Sequence, residues 1–72
     1  MNKKQVNKIE GIVEEALPNI NFRVRLENGN EVLAHLAGKL RIHRIKVLPG
    51  DKVLIEMANL EDKRGRIVYR SK

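Results

Sequence analysis

The chain has 72 residues, which is enough for one small domain but not for a second hydrophobic core. It contains no cysteine, so disulfides and thiolate metal sites are excluded. Its 15 Lys and Arg residues against nine Asp and Glu residues give a formal net charge of +6, which favours a phosphate-rich partner. A solvated basic surface without any partner would have the same composition.

The N-terminal residues MNKKQVNK are basic, but no apolar segment follows them as it would in a secretory signal peptide. No apolar run approaches the roughly 20 residues needed to cross a bilayer. We therefore expect a single domain over residues 1–72, with residues 1–7 as a flexible basic tail and no membrane contact. We expect a cytoplasmic monomer, with a plastid origin left open.

Alternating apolar residues predict two strands in the first third of the chain. Ile9–Leu17 is rich in β-branched residues and ends at the turn signal Pro18-Asn19. Gly11 within this strand indicates a bulge or a sharp bend. Phe22–Leu26 (FRVRL) alternates strictly and predicts a second strand with Phe22 on its core face.

The dipeptide Asn28-Gly29 predicts a hairpin into a third strand at Glu31–Leu36, because Asn-Gly accepts the positive φ of tight turns. Leu33 and His35 share the outer face of that strand. The next segment, Gly38–Ile45, lacks alternation and predicts one short helical turn.

The remaining sequence predicts two more strands. Pro49-Gly50 predicts a turn before a fourth strand at Lys52–Ala58. Asn59–Gly65 is a predicted polar loop, and Arg66–Arg70 (RIVYR) is the predicted fifth strand. Tyr69 is in phase with Ile67, but the sequence leaves open whether its ring lies in the core or on the surface.

Five short strands with a brief helix between the third and the fourth are typical of the OB-fold, a five-stranded Greek-key barrel that often binds nucleic acid. An SH3-like barrel also has five strands, but it usually lacks so long a connection between strands 3 and 4. The sequence therefore favours an all-β fold, an OB-fold barrel with a short helical turn between strands 3 and 4.

Ten of the 15 Lys and Arg residues fall in two blocks, residues 38–52 and 63–72, whereas residues 10–31 contain five acids. Lys and Arg bind phosphates with release of counterions, so the affinity of such a surface falls with salt. OB-type proteins that bind single strands stack bases on surface rings, but this chain has one Phe and one Tyr. We therefore expect recognition of the backbone and shape of folded RNA.

Several spaced motifs occur together: LPN before FRVRLENG, AHLAGKLR, GDKV and a terminal GRIVYR. The matching stretches cover nearly the whole chain, and in them it resembles bacterial-type translation initiation factor one. The resemblance implies a five-stranded OB barrel that binds the small ribosomal subunit at its A site. It implies contacts with the rRNA of the decoding region and with a neighbouring ribosomal protein, support of the other two initiation factors, and no enzymatic activity.

In that family the RNA contacts lie mainly in the segment after the third strand and in the basic C-terminal strand. Lys39 and Arg41 occupy matching basic positions, and Lys46 keeps the charge of a position that is usually Arg. The resemblance thus implies RNA contacts by Lys39, Arg41, Arg44, Lys46, Arg64, Arg66 and Arg70, with His43 as a further candidate.

Three positions depart from the family pattern. Arg44 stands where the family commonly has an aromatic residue, so we expect a phosphate contact there instead of stacking. A second aromatic, often found near Leu60, is missing as well. Ile42 is apolar at a position that is often basic, so we expect no charge contact there.

The residues also indicate what the protein does not do. There is no Ser-His-Asp set, nucleotide loop or Gly-rich fingerprint, and neither His35 nor His43 has a Cys or Asp at metal-ligand spacing. We expect His35 to be structural, and we expect no catalytic residue, no cofactor and no metal site. Two alternatives to an initiation factor remain, namely a general RNA chaperone or cold-shock-like module, which the few aromatics disfavour, and a protein-binding barrel with an exposed apolar patch.

Overall fold

The computed structural model describes residues 7–59 and 61–71. In chain order its elements are β1 (Asn7–Leu17), a 3-10 turn (Pro18–Ile20), β2 (Asn21–Leu26), β3 (Glu31–Leu36), α1 (Gly38–Ile42), β4 (Lys52–Met57) and β5 (Arg64–Arg70). The predicted tail at residues 1–7 lies outside this range except for Asn7, with which β1 begins. Within the range, no helix is long and apolar enough to cross a membrane.

The strands form a closed barrel in the order β1-β2-β3-β5-β4, with β4 returning to β1. The long β1 closes it, because its first half pairs with β4 and its second half with β2, both antiparallel. β3 and β5 pair in parallel. The predicted OB-fold is confirmed, and closure leaves no long unpaired edge among the described strands to promote association.

The barrel interior is filled by the apolar faces of the strands and by two residues of the β3–β4 connection. The predicted core faces of β2, β3 and β4 are confirmed, and Phe22 is only 7% exposed. The buried core consists of Val13, Phe22, Val24, Leu26, Val32, Ala34, Leu36, Leu40, Val47, Val53, Ile55, Met57 and Ile67.

Gly11 lies where β1 has a strand on each side, and of the two predicted features, a bulge or a sharp bend, the bulge does not fall on it. A Cβ at this position would lie 2.7 Å from Cγ1 of Val24 and 2.8 Å from the carbonyl oxygen of Arg25. Glycine is therefore needed for the close approach of β1 to β2. The register between these strands shifts three residues later, where Glu14 is the extra residue of a bulge.

β5 begins at Arg64, two residues before the predicted start at Arg66, so the predicted loop is too long. The reason is the parallel pairing with β3, which begins with Leu33 opposite Arg64. Gly65, which looks like a loop residue in the sequence, lies inside the strand. A Cβ there would be 2.5 Å from Cγ2 of Ile55, so the close packing of β5 on β4 requires glycine. The other predicted strand boundaries agree with the observed ones to within two residues.

A register shift between β4 and β5 decides the position of Tyr69. Ile67 lies opposite Ile55, but Tyr69 lies opposite Leu54, so Val68 is an extra residue. Simple alternation would place Tyr69 on the core face with Ile67, and the bulge moves it outside instead. The Tyr69 side chain is 59% exposed.

The predicted hairpin at Asn28-Gly29 is confirmed. Gly29 has a φ of 91°, and its N–H donates to the carbonyl oxygen of Leu26 at 2.9 Å. The N–H of Asn30 donates to Oδ1 of Asn28 at 3.0 Å, which closes the turn locally. A Cβ on Gly29 would meet no atom within 4 Å, so only the backbone conformation demands glycine here.

Candidate nucleic-acid interface

The segment between β3 and β4 is attached to the barrel by apolar side chains. Leu40 and Val47 are buried in the core, and Ile45 packs against it. The residues between these anchors are exposed, and five residues of the segment are basic: Lys39, Arg41, His43, Arg44 and Lys46. We call these five residues the α1 surface. Its side chains face solvent because Leu40, Ile45 and Val47 are the residues that hold this segment against the core.

α1 ends in a Schellman turn with Arg44 at the left-handed position, where φ is 56°. The N–H of Arg44 donates to the carbonyl oxygen of Arg41 at 3.1 Å, and the N–H of Ile45 donates to that of Leu40 at 3.0 Å. Glycine is usual at this position because a Cβ is unfavourable at positive φ. An arginine here therefore places a cation at the turn at some cost in backbone strain.

β5 contacts this segment at two places. The N–H of Ala37 donates to the carbonyl oxygen of Ile67 at 2.9 Å, just before α1. Further along, Nη1 of Arg70 donates to the carbonyl oxygen of Lys46 at 2.7 Å. The structure thus brings Arg70, from the second basic block, to the α1 surface of the first block.

Arg64 and Arg66 lie elsewhere, at the start of β5. Arg64 and Arg70 are six positions apart along this strand, which is about 20 Å at about 3.3 Å per residue. Arg64 and Arg66 line an open groove of roughly 770 Å³ on the barrel exterior. Its wall is formed by Asn21, Leu33, His35, Glu56, Met57, Ala58, Asp62, Arg64, Gly65 and Arg66. The predicted RNA contacts therefore form two groups, one on the α1 surface with Arg70 and one in this groove.

The predicted contact residues also differ in their ion pairing. Arg66 forms an ion pair with Glu56 on the neighbouring β4. None of the others forms an ion pair with any residue in 7–59 or 61–71. Cations without a nearby carboxylate keep their full attraction for an anionic partner. The α1 surface is therefore better placed than Arg66 to bind phosphate, whereas Arg64 shares its groove with Glu56 and Asp62.

Two further arginines, on β2, are neutralised within the sheet. Arg23 lies 3.7 Å from a carboxylate oxygen of Glu14 and 2.6 Å from one of Glu15. Arg25 lies 2.9 Å from both Glu14 and Glu31. The hydrogen bond from Arg25 is the main reason that the pKa of Glu14 lies below its ordinary value, and desolvation partly opposes this shift. These arginines join strands of the barrel.

Side chains suited to stacking or metal binding are few. Tyr69 is the one aromatic ring at the surface, since Phe22 is buried and the chain has no other ring of the Phe, Tyr or Trp type. Ile42, where no charge contact is expected, is 76% exposed at the end of α1. In the part of the chain that the structure describes, no three His, Cys, Asp or Glu side chains converge as a metal site would require.

His35, for which the sequence predicts a structural role, lies beside the groove arginines. It is exposed on β3, lies opposite Arg66 in the parallel pair with β5, and lines the groove. Its alternation with apolar neighbours already indicated an outward position. The sequence does not reveal that His35 lies next to β5, because a parallel contact between distant strands leaves no local pattern in the sequence. Leu60, near which the family often has a second aromatic residue, lies outside the described residues.

Known structures have a similar fold. The solution structure of a translation initiation factor, IF-1 from the Wolbachia endosymbiont strain TRS of Brugia malayi, matches with a TM-score of 0.75 and 42% identity, covering 96% of this chain and 82% of that one. The crystal structure of YjeQ from Thermotoga maritima matches with a TM-score of 0.74 and 27% identity. That match covers 92% of this chain but 23% of YjeQ, so the likeness concerns one part of a larger protein.

The sequence also matches a family model over its full length. The model is described as "Translation initiation factor 1A / IF-1", and the match spans residues 1–72. Its description agrees with the name of the Wolbachia protein, with the OB barrel, and with the motifs from LPN to GRIVYR. The chain belongs to the translation initiation factor 1A/IF-1 family.

Proposed function

We propose that this protein binds the small ribosomal subunit at the A site, against the rRNA of the decoding region and beside a ribosomal protein. There it supports the other two initiation factors while the initiation complex assembles. It acts by occupying the site in the cytoplasm, as a monomer and without catalysing a reaction. The observation that carries this proposal is an exposed basic surface, the α1 surface, on a barrel of the initiation factor family.

The α1 surface supports binding to RNA through simple electrostatics. Lys39 and Arg41 are exposed on α1, and neither has a carboxylate partner among the described residues. Each phosphate that they neutralise releases condensed counterions, which contributes favourable entropy at low salt. The guanidinium of Arg41 can also bind two phosphate oxygens at once.

The scarcity of rings supports folded RNA as the partner. Base stacking contributes about 1–3 kcal/mol per base in single-strand binders of the OB type. Tyr69 is the one exposed ring of the Phe, Tyr or Trp type, so this barrel has little stacking surface. Cations on a rigid barrel instead suit phosphates that a folded RNA holds at fixed positions.

Cosedimentation with purified ribosomal subunits over a series of salt concentrations tests this proposal. We expect retention by the small subunit, weak retention by the large subunit, and an affinity that falls steeply with salt. An unstructured RNA oligonucleotide is the competitor, and we expect it to displace little protein from the small subunit. Equal retention by both subunits, or tighter binding to the oligonucleotide, would favour a general RNA chaperone.

The A-site part of the proposal needs a separate measurement. A tRNA anticodon stem-loop bound to the A site of a programmed small subunit should be displaced by the protein, because both occupy the decoding region. The same stem-loop in the P site serves as the control and should remain bound. Simultaneous binding of the protein and the A-site stem-loop would place the protein elsewhere on the subunit.

A further inference from the structure

We propose that Arg70 is a positioning residue, which holds the α1 surface in its binding conformation, and not itself a phosphate contact. The binding part of this inference rests on the proposed function. It revises the role that family resemblance gives to Arg70, and it follows from a single hydrogen bond between two distant parts of the chain. Nη1 of Arg70 donates to the carbonyl oxygen of Lys46, 24 residues away, at 2.7 Å.

The backbone around Arg70 is fixed, so its side chain extends from a rigid base. Arg70 pairs with Val53 at the end of the β4–β5 ladder. The next N–H, that of Ser71, donates to the carbonyl oxygen of Lys52 at 2.7 Å. A charged donor at this distance from a carbonyl makes a stronger hydrogen bond than a neutral one.

Around Lys46, the segment that receives this bond is held mainly by side-chain packing, since its other described hydrogen bonds lie in the turn at Arg44 and Ile45 and at residues 48–51. No described residue between the end of α1 and the start of β4 belongs to a strand. Ile45 and Val47 attach the segment to the core from either side of Lys46. Arg44 nevertheless has an unfavourable positive φ in the preceding turn. The Arg70 bond to the Lys46 carbonyl fixes the backbone between the two anchors and reduces the entropy lost when the segment binds RNA.

Salt dependence separates the two roles of an arginine. A side chain that neutralises a phosphate on binding contributes about 0.7–0.9 to the slope of log affinity against log salt concentration. A side chain that only positions its neighbours changes the affinity at every salt concentration and leaves the slope nearly unchanged. Arg41, which is exposed on α1 and forms no described ion pair, provides the matched comparison.

The experiment compares Arg70→Met with Arg41→Met, which remove the same charge and keep a long side chain. For Arg70→Met we expect small-subunit binding about fivefold weaker, consistent with the loss of one exposed hydrogen bond, and an unchanged salt slope. Hydrogen exchange in the free protein should become several-fold faster at the amides of Arg44 and Ile45. For Arg41→Met we expect a slope lower by about 0.9 and unchanged exchange at both amides.

Two results would overturn the inference. A slope lowered by about one in Arg70→Met would identify Arg70 as a phosphate contact. Unchanged exchange at Arg44 and Ile45 would show that the bond to Lys46 does not hold the segment. The exchange measurement needs no ribosome, so it decides the positioning role even if the wild-type protein fails to select the small subunit. That failure would contradict the proposed function alone.

Discussion

Two regions of this barrel contain exposed arginines, but these arginines have different neighbours. On the β1–β2–β3 face, Arg23 and Arg25 lie within 4 Å of carboxylates on the adjacent strands. On the α1 surface, Arg41 and Arg44 form no ion pair with any described residue, and neither does Lys39. The sign of the charge is the same in both regions, and only the neighbouring groups differ.

This difference shows why a net charge of +6 does not locate a binding site. Exposed ion pairs contribute about 0–1 kcal/mol each to stability, so the arginines of β2 contribute modestly to folding. Their field is cancelled at close range by the carboxylates beside them. The cations of the α1 surface add little to folding but keep their attraction for phosphate. Each of the predictions below tests this division between folding and binding.

The largest effect is expected in the hairpin of the β1–β2–β3 face. Gly29→Val forces a β-branched residue to a φ of 91° and should lower the free energy of unfolding by about 1–3 kcal/mol. Ribosome binding should fall only with the folded fraction, and it should recover on cooling or with an osmolyte. Thermal melting followed by circular dichroism, in parallel with cosedimentation, measures both quantities. A Gly29→Val protein that melts like the wild type yet does not bind would make the turn itself a contact.

The next effect is on binding alone. Replacing Lys39 and Arg41 with Ala should weaken small-subunit binding about 30-fold, if each contact contributes about 1 kcal/mol, and should lower the salt slope by about two. The melting temperature should stay close to that of the wild type, because both side chains are exposed.

The matched control for this prediction is the double replacement of Arg23 and Arg25 with Ala, which removes the same two charges from the β1–β2–β3 face. We expect a small loss of stability and almost no change in the salt slope, since these cations are already paired with carboxylates. Equal losses of affinity in the two double variants would mean that total charge, and not its location, governs binding.

At Arg44, a single substitution should increase the stability of the protein and weaken its binding. Arg44→Gly places glycine at the left-handed position of the Schellman turn and should stabilise the protein by about 0.5–1 kcal/mol. The same change removes a cation from the α1 surface and should weaken binding several-fold. Arg41→Gly is the control, because glycine inside α1 should destabilise by up to about 1 kcal/mol while removing an equal charge. A destabilised Arg44→Gly protein would contradict the strain assigned to this turn.

The smallest effect is the pH dependence of stability that arises from the ion pairs of the β1–β2–β3 face. The pKa of Glu14 is lower in the folded state because Arg25 donates a hydrogen bond to it, so the folded state binds fewer protons in mild acid. This contribution to stability is complete above the ordinary glutamate pKa of about 4.3 and is lost as the pH falls through the lower folded-state pKa.

Glu14→Gln should therefore flatten the acid side of the stability curve. Urea unfolding from about pH 6 to about pH 3 measures it, with Glu61→Gln as a control in an exposed loop. Parallel curves for wild type and Glu14→Gln would show that the contact with Arg25 has no energetic coupling to folding. Binding at neutral pH should be the same in both proteins.

Much of the fold could be predicted because its signals are local. Alternation in Phe22–Leu26 and Glu31–Leu36 specifies which side chains enter the core, and Asn28-Gly29 specifies the turn between them. The order of five strands and a short helix then indicated the OB-fold. Register was harder to predict, since a bulge at Val68 reverses the face on which Tyr69 lies, and no local pattern marks the bulge.

The sequence by itself determined the strands, the core faces, the two basic blocks and the family motifs. Tertiary structure alone decided which cations are neutralised, that Arg70 reaches the Lys46 carbonyl, and that His35 shares a groove with Arg64. The physical reason is distance along the chain. Burial and turn preferences act on neighbouring residues and leave a periodic pattern, whereas ion pairs and parallel strand contacts join residues that come together only when the barrel closes.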